Sequence, residues 1–114
     1  MDIQPDTEKK IQQLQIFEQN LQALQTQRQN LQIQMSEMDS ALQELDRTSK
    51  AYRIVSTIMV SADIPELKKD LESKKEIIQL RIKSLEKQES STKERATALQ
   101  DEVLKSMKAG KERG

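Results

Sequence analysis

The sequence predicts a mostly α protein, a long antiparallel two-helix coiled coil with one central β-hairpin. Three observations predict it. Apolar residues recur in alternating steps of three and four on both sides of the chain's midpoint, the pattern of a coiled-coil seam. One run, Ala51 to Val60, is instead rich in β-branched and aromatic residues, which favour a pleated backbone. Composition is the third: 33% of the 114 residues are charged, 34% hydrophobic and 2% aromatic. That is little apolar bulk for a compact core and suits solvated helices with a narrow seam. Residues 1–114 read as a single elongated domain.

The first helix is expected over 6–47. Pro5 suits a first helical turn, and Asp6 and Glu8 put negative charge at the positive end of the helix dipole. From Leu14 the seam runs through Phe17, Leu21, Leu24, Leu31, Met35, Met38, Leu42 and Leu45, broken only by Arg28. Gln dominates the outer positions and solvates the helix without adding charge. Thr48 and Ser49 interrupt the pattern before the strand run.

The hairpin is expected over 51–61, reversing at Ser56-Thr57. Neither residue is favoured in a two-residue turn, which usually takes Gly or Asn at positive φ. On a period of two, Tyr52, Ile54, Ile58 and Val60 fall on one face and Arg53, Val55, Thr57 and Met59 on the other. Both faces therefore carry apolar groups. A lone two-stranded hairpin is marginal in water, and the chain offers no further strand. The missing strands are expected from other chains, which makes Tyr52, Ile54, Val55, Ile58, Met59 and Val60 candidate oligomerisation residues. The plainer alternative is a hairpin packed on its own helices, which could cover one face only.

Asp63, Pro65 and Glu66 open a second helix expected over 63–108, with Asp63 as cap and Glu66 in the capping-box position. A charged, Gly-bounded stretch, 109–114, is expected to be a loose tail. The second seam is Ile64, Leu71, Ile78, Ile82, Leu85, Glu89, Thr92, Ala96, Leu99 and Val103, with Leu67 joining near its start. Folding the helices back on each other pairs residues whose numbers sum to about 113, so Phe17 meets Ala96 and Leu14 meets Leu99. Arg28 and Glu89 then lie in adjacent layers and are predicted to pair. At ~1.5 Å per residue the paired helices would reach roughly 60 Å.

Nineteen basic and nineteen acidic residues balance to a formal charge of zero, so there is no electrostatic case for nucleic acid or an anionic membrane as partner. Without Cys or His the chain has no disulfide, thiol, imidazole base or usual transition-metal site. No apolar run approaches the roughly 20 residues of a membrane span, and the N-terminus lacks the pattern of a signal peptide. The expected location is the cytoplasm. No catalytic constellation is evident and no cofactor is called for. The carboxylates Glu44, Asp46, Asp101 and Glu102 and the pairs Lys68-Lys69 and Lys74-Lys75 read as solvating groups.

A Gln-rich heptad helix, then Tyr52-Arg53-Ile54-Val55-Ser56-Thr57-Ile58-Met59-Val60, then a Glu/Lys-rich helix opened by Asp63-Ile64-Pro65-Glu66-Leu67 resembles a beta-type prefoldin subunit, most similar to the archaeal form. The resemblance covers nearly the whole chain. Ser56 departs from it, standing where the family usually has Gly. The resemblance implies a hexamer of two alpha-type and four beta-type subunits, whose hairpins build an intersubunit double β-barrel from which coiled-coil arms hang. It also implies ATP-independent holding of unfolded proteins between the arm tips and their delivery to a group II chaperonin.

In the antiparallel fold both termini meet at the free end of the arm. Ile11, Leu104 and Met107 fall off the seams, and Met1 and Ile3 precede the first helix. Ordinary fraying of the seam is the plain explanation. The functional one, which the resemblance favours, is an adaptable apolar client-binding tip, for which unbranched Met is well suited. A rival from another class is a structural coiled-coil adaptor or tether that binds a folded protein on its outer helix faces.

Overall fold

The computed structural model describes the backbone of residues 4–113 and the side-chain surroundings of residues 4–109. The elements are α1 (Pro5–Arg47), β1 (Ala51–Val55), β2 (Ile58–Ala62) and α2 (Ile64–Arg113). Two long helices thus flank a two-stranded antiparallel sheet.

The helix ends follow local chemistry. Pro5 opens α1, and the Glu8 N–H donates to the Gln4 carbonyl at 3.1 Å. After Arg47, Thr48 closes a small turn: its hydroxyl donates to the Lys50 carbonyl at 2.9 Å and accepts from the Lys50 N–H at 3.4 Å. Short polar side chains compete with the helix for backbone groups in this way. Asp63 caps α2, its carboxylate accepting from the Glu66 N–H at 3.4 Å and its carbonyl from the Leu67 N–H at 2.9 Å. The tail expected to be loose is helical instead, since α2 continues through Arg113. Gly110 costs about 1 kcal/mol relative to Ala, and its neighbours Met107, Lys108, Ala109 and Lys111 are good helix formers.

Contacts group the chain into two compact units. The first holds residues 1–28 and 85–114. Its helical segments run antiparallel, as Thr7 with Ser106 and Lys10 with Glu102 require. Leu85 and Val103 are buried, and Leu14, Phe17, Leu21, Leu24, Ala96 and Leu99 are half-buried. Thr92 occupies a seam position because its hydroxyl donates to the Gln88 carbonyl one turn back, at 2.7 Å. The predicted pair is present here: Arg28 Nε donates to Glu89 Oε2 at 2.7 Å.

The second unit holds residues 29–84 and so contains the sheet. Leu45, Ile78 and Ile82 are buried, with Leu31, Met35, Met38, Leu42, Ile64, Leu67 and Leu71 half-buried around them. Two lysines contradict their reading as solvating groups. Stepping back from Ile82 by four and three passes through Ile78, Lys75, Leu71 and Lys68 to Ile64, so both lysines lie in the seam. Their stems are half-buried and their amines reach carboxylates on α1, Lys68 to Asp46 at 2.6 Å and Lys75 to Asp39 at 2.5 Å. A lysine can do this because its aliphatic stem covers apolar surface while the ammonium reaches the edge. Asp46 is accordingly an ion-pair partner rather than a free solvating carboxylate. No described helix is long and apolar enough to cross a membrane.

Candidate assembly and binding surfaces

The hairpin is built by side chains that prefer extended backbone and by a turn that the sequence only just accommodates. Partners across the ladder are Ala51 and Ala62, Tyr52 and Ser61, Arg53 and Val60, Ile54 and Met59, and Val55 and Ile58. Ser56 and Thr57 are left as a two-residue turn. Ser56 has φ 60°, and no other non-Gly residue described has positive φ. Positive φ at the first turn position alone is the type II′ pattern, which Gly fills without steric cost.

The ladder also corrects the expected faces. Directly opposed residues share a face, so Tyr52, Ile54, Met59 and Ser61 lie on one side and Arg53, Val55, Ile58 and Val60 on the other. A continuous period of two fails across the turn, because the two turn residues shift the parity between strands. The conclusion drawn from the faces stands nonetheless: each carries large apolar groups. All six candidate oligomerisation residues are exposed, from Val60 at 41% to Ile54 at 70%. Both outer strand edges lack a neighbouring strand among the described residues, leaving a template for another chain. Arg53 ties the hairpin to α2 through Asp70, Nη2 to Oδ2 at 2.6 Å.

At the far end of the first unit the seam closes on a polar layer. Thr7 is 3% exposed and its hydroxyl shares a hydrogen bond of 2.7 Å with the half-buried Ser106 hydroxyl. Nearby, Lys10 and Glu102 make a looser ion pair at 3.5 Å. Of the candidate tip residues, Leu104 and Met107 are exposed, while Ile11 is half-buried. Leu104 and Met107 lie on one flank of the buried Val103 stripe of α2, three residues apart as helix neighbours are. Met1 and Ile3 lie outside the described residues.

The sequence reading missed the Thr7–Ser106 layer and the two seam lysines. A signal was available in each case, since all four residues continue the three-and-four spacing once polar residues are admitted to it. Among the described residues no group of three or more acidic side chains is placed to hold a metal ion.

Antiparallel helices joined by a short hairpin that bares apolar groups on both faces define the class of hairpin-linked coiled-coil proteins. Comparison with known proteins narrows it. The family model described as prefoldin subunit matches residues 8–109. The prefoldin subunit beta of Archaeoglobus fulgidus is 33% identical over 105 residues, covering 90% of each chain. That of Caldivirga maquilingensis is 32% identical over 80 residues, 68% of this chain and 66% of the relative. Among solved structures, the crystal structure of the prefoldin beta subunit from Thermococcus strain KS-1 superposes with a TM-score of 0.84 at 27% identity, covering 90% of this chain and 92% of that one. The chain belongs to the prefoldin family, and the relatives it matches are beta subunits.

Proposed function

We propose that this chain is a subunit of an ATP-independent chaperone. In this reading the hairpin joins an intersubunit β-barrel with alpha-type partners in a hexamer of two alpha and four beta chains. Apolar side chains at the helix ends hold unfolded proteins, which the assembly delivers to a group II chaperonin in the cytoplasm. The protein works by binding and not by catalysis.

Family membership supports this, and so does one observation above the rest: six large apolar side chains stand in water on both faces of a two-stranded sheet. Fully burying such a side chain contributes about 1.5–3 kcal/mol. With each of the six roughly half exposed, covering them would supply roughly 5–10 kcal/mol per chain, comparable with an association cost of about 4–15 kcal/mol. Contacts at each helix end would be weak singly, and several arms engaging one client would supply the affinity.

The test is light scattering after size-exclusion chromatography, on the chain alone and mixed with an alpha-type subunit, followed by an aggregation assay on a denatured client. A hexamer in the mixture that keeps the client in solution is the expected outcome. A dimer indifferent to the alpha-type subunit, with the client left to aggregate, would replace this reading with that of a coiled-coil adaptor.

A further inference from the structure

Away from the hairpin and the helix ends, one flank of the first unit is hollowed and carries charge of a single sign. A groove of about 540 Å³ runs between the helices there, lined by Asn20 and Leu24 of α1 and by Lys87, Ser91, Thr92 and Arg95 of α2, among others. It exists because the side chains in and beside the seam are small at this level: Thr92 in the seam and Ala23 and Ser91 on its flank fill less space than the Leu and Ile residues elsewhere. Leu24 and Thr92 are half-buried at its base, and the other four stand exposed.

No carboxylate lines the groove. Neither Lys87 nor Arg95 has an ion-pair partner among the described residues, whereas Lys10, Arg28, Arg53, Lys68 and Lys75 each have one. In a chain of zero formal charge, two unpaired cations over this hollow form a local positive field. One turn before Asn20 on the same face of α1, Ile16 is 54% exposed, adding an apolar foothold beside the charges.

From this charge pattern we infer that the groove is a docking site for an extended acidic segment of a partner protein. Lys87 and Arg95 are eight residues apart on one helix, so they lie ~12 Å apart along its axis. An extended strand covers that span in about four residues. The matching segment carries carboxylates at positions i and i+4 and an apolar side chain near one of them for Ile16. A nucleic acid would meet only two cations and an apolar side chain, which suits it poorly, since nucleic-acid affinity grows with the number of phosphates neutralised. The inference does not rest on the chaperone reading.

Nitrogen-15 NMR titration of the full chain tests it, with a decapeptide bearing Glu at positions 3 and 7 and Leu at position 9 as probe. The expected result is a saturable shift of the Asn20, Ser91, Thr92 and Arg95 signals. The Lys87→Gln/Arg95→Gln variant should weaken binding about tenfold, as should replacing both peptide Glu residues by Gln, with the helical circular-dichroism spectrum unchanged. Ser91→Trp, which fills the groove without altering charge, should weaken it too. Binding that is absent, that survives the charge-neutral variant, or that is exceeded by a ten-nucleotide oligothymidine would each overturn the proposal.

Discussion

Arg28 Nε lies 2.7 Å from Glu89 Oε2 inside the helix seam of the first unit, with the glutamate side chain only 9% exposed and the arginine 24%. The two differ in what each could do without the other. Arg28 has a long stem and can turn its guanidinium toward water; Glu89 is nearly enclosed.

Removing Arg28 should therefore cost more than removing Glu89. Arg28→Leu leaves a carboxylate in a desolvated position and is expected to destabilise by about 1–3 kcal/mol. Glu89→Leu should cost less, because the arginine retains a route to solvent. The double Leu variant should be at least as stable as the natural chain, since a seam ion pair replaced by apolar packing is often neutral or stabilising. Urea unfolding followed by circular dichroism reads all three. A double variant less stable than the natural chain would show that the pair itself supplies stability.

The turn offers a second test. Ser56 sits at φ 60°, where an L-residue costs roughly 1–2 kcal/mol relative to its ordinary conformation and Gly does not. Ser56→Gly is expected to stabilise the hairpin by about 0.5–1 kcal/mol. Ser56→Val, β-branched, should destabilise it by more than that. Thermal melts of the assembled protein would register both, and an unchanged melting temperature for Ser56→Val would contradict a locked positive φ.

These two features mark what was legible in the sequence. The seam pair could be read because Arg28 and Glu89 interrupt otherwise apolar heptads at positions that antiparallel pairing brings into adjacent layers. The turn could be placed because it divides the one β-branched run between two helices. The faces of the hairpin were misread because alternation was carried through the turn, where opposed residues define the faces. Lys68, Lys75, Thr7 and Ser106 escaped because a seam sought as apolar letters skips the polar side chains that complete it. α2 runs beyond its expected end at Lys108, to Arg113, because one glycine within a charged stretch is a modest penalty in a long helix.

The seam lysines yield a prediction of the opposite sign to the usual expectation for broken ion pairs. Asp39 and Asp46 are 45% and 68% exposed, so losing their partners strands no buried charge, and such surface pairs are worth about 0–1 kcal/mol. Lys68→Met and Lys75→Met retain stem length and add apolar contact. Each should leave stability unchanged or raise it by up to about 1 kcal/mol, measured by urea unfolding. A loss above about 1 kcal/mol would mean that these pairs hold the helices in register.

Charge placed on each hairpin face separates coverage of one face from coverage of both. Ile54 and Ile58 point to opposite sides of the sheet and are 70% and 64% exposed. If partner chains cover both sides, Ile54→Lys and Ile58→Lys should each disrupt assembly with an alpha-type subunit, seen as smaller species by light scattering, while helix content is kept. Loss of assembly in one variant alone would mean that a single face is used.

At the helix ends, Leu104 and Met107 are 57% and 45% exposed and lie outside the buried Val103 stripe. Their truncation removes apolar surface without opening a cavity, so stability should change by no more than about 0.5 kcal/mol. The Leu104→Ser/Met107→Ser variant is therefore expected to assemble and melt as the natural chain does. If these side chains contact clients, it should need several-fold more protein to suppress aggregation of a denatured client, because each arm's weak contact is multiplied across the assembly. Ile11→Ser serves as the contrast: Ile11 is half-buried, so its loss should lower the melting temperature as well. Undiminished suppression by the Leu104/Met107 variant at equal concentration would remove these two residues from the client-binding surface.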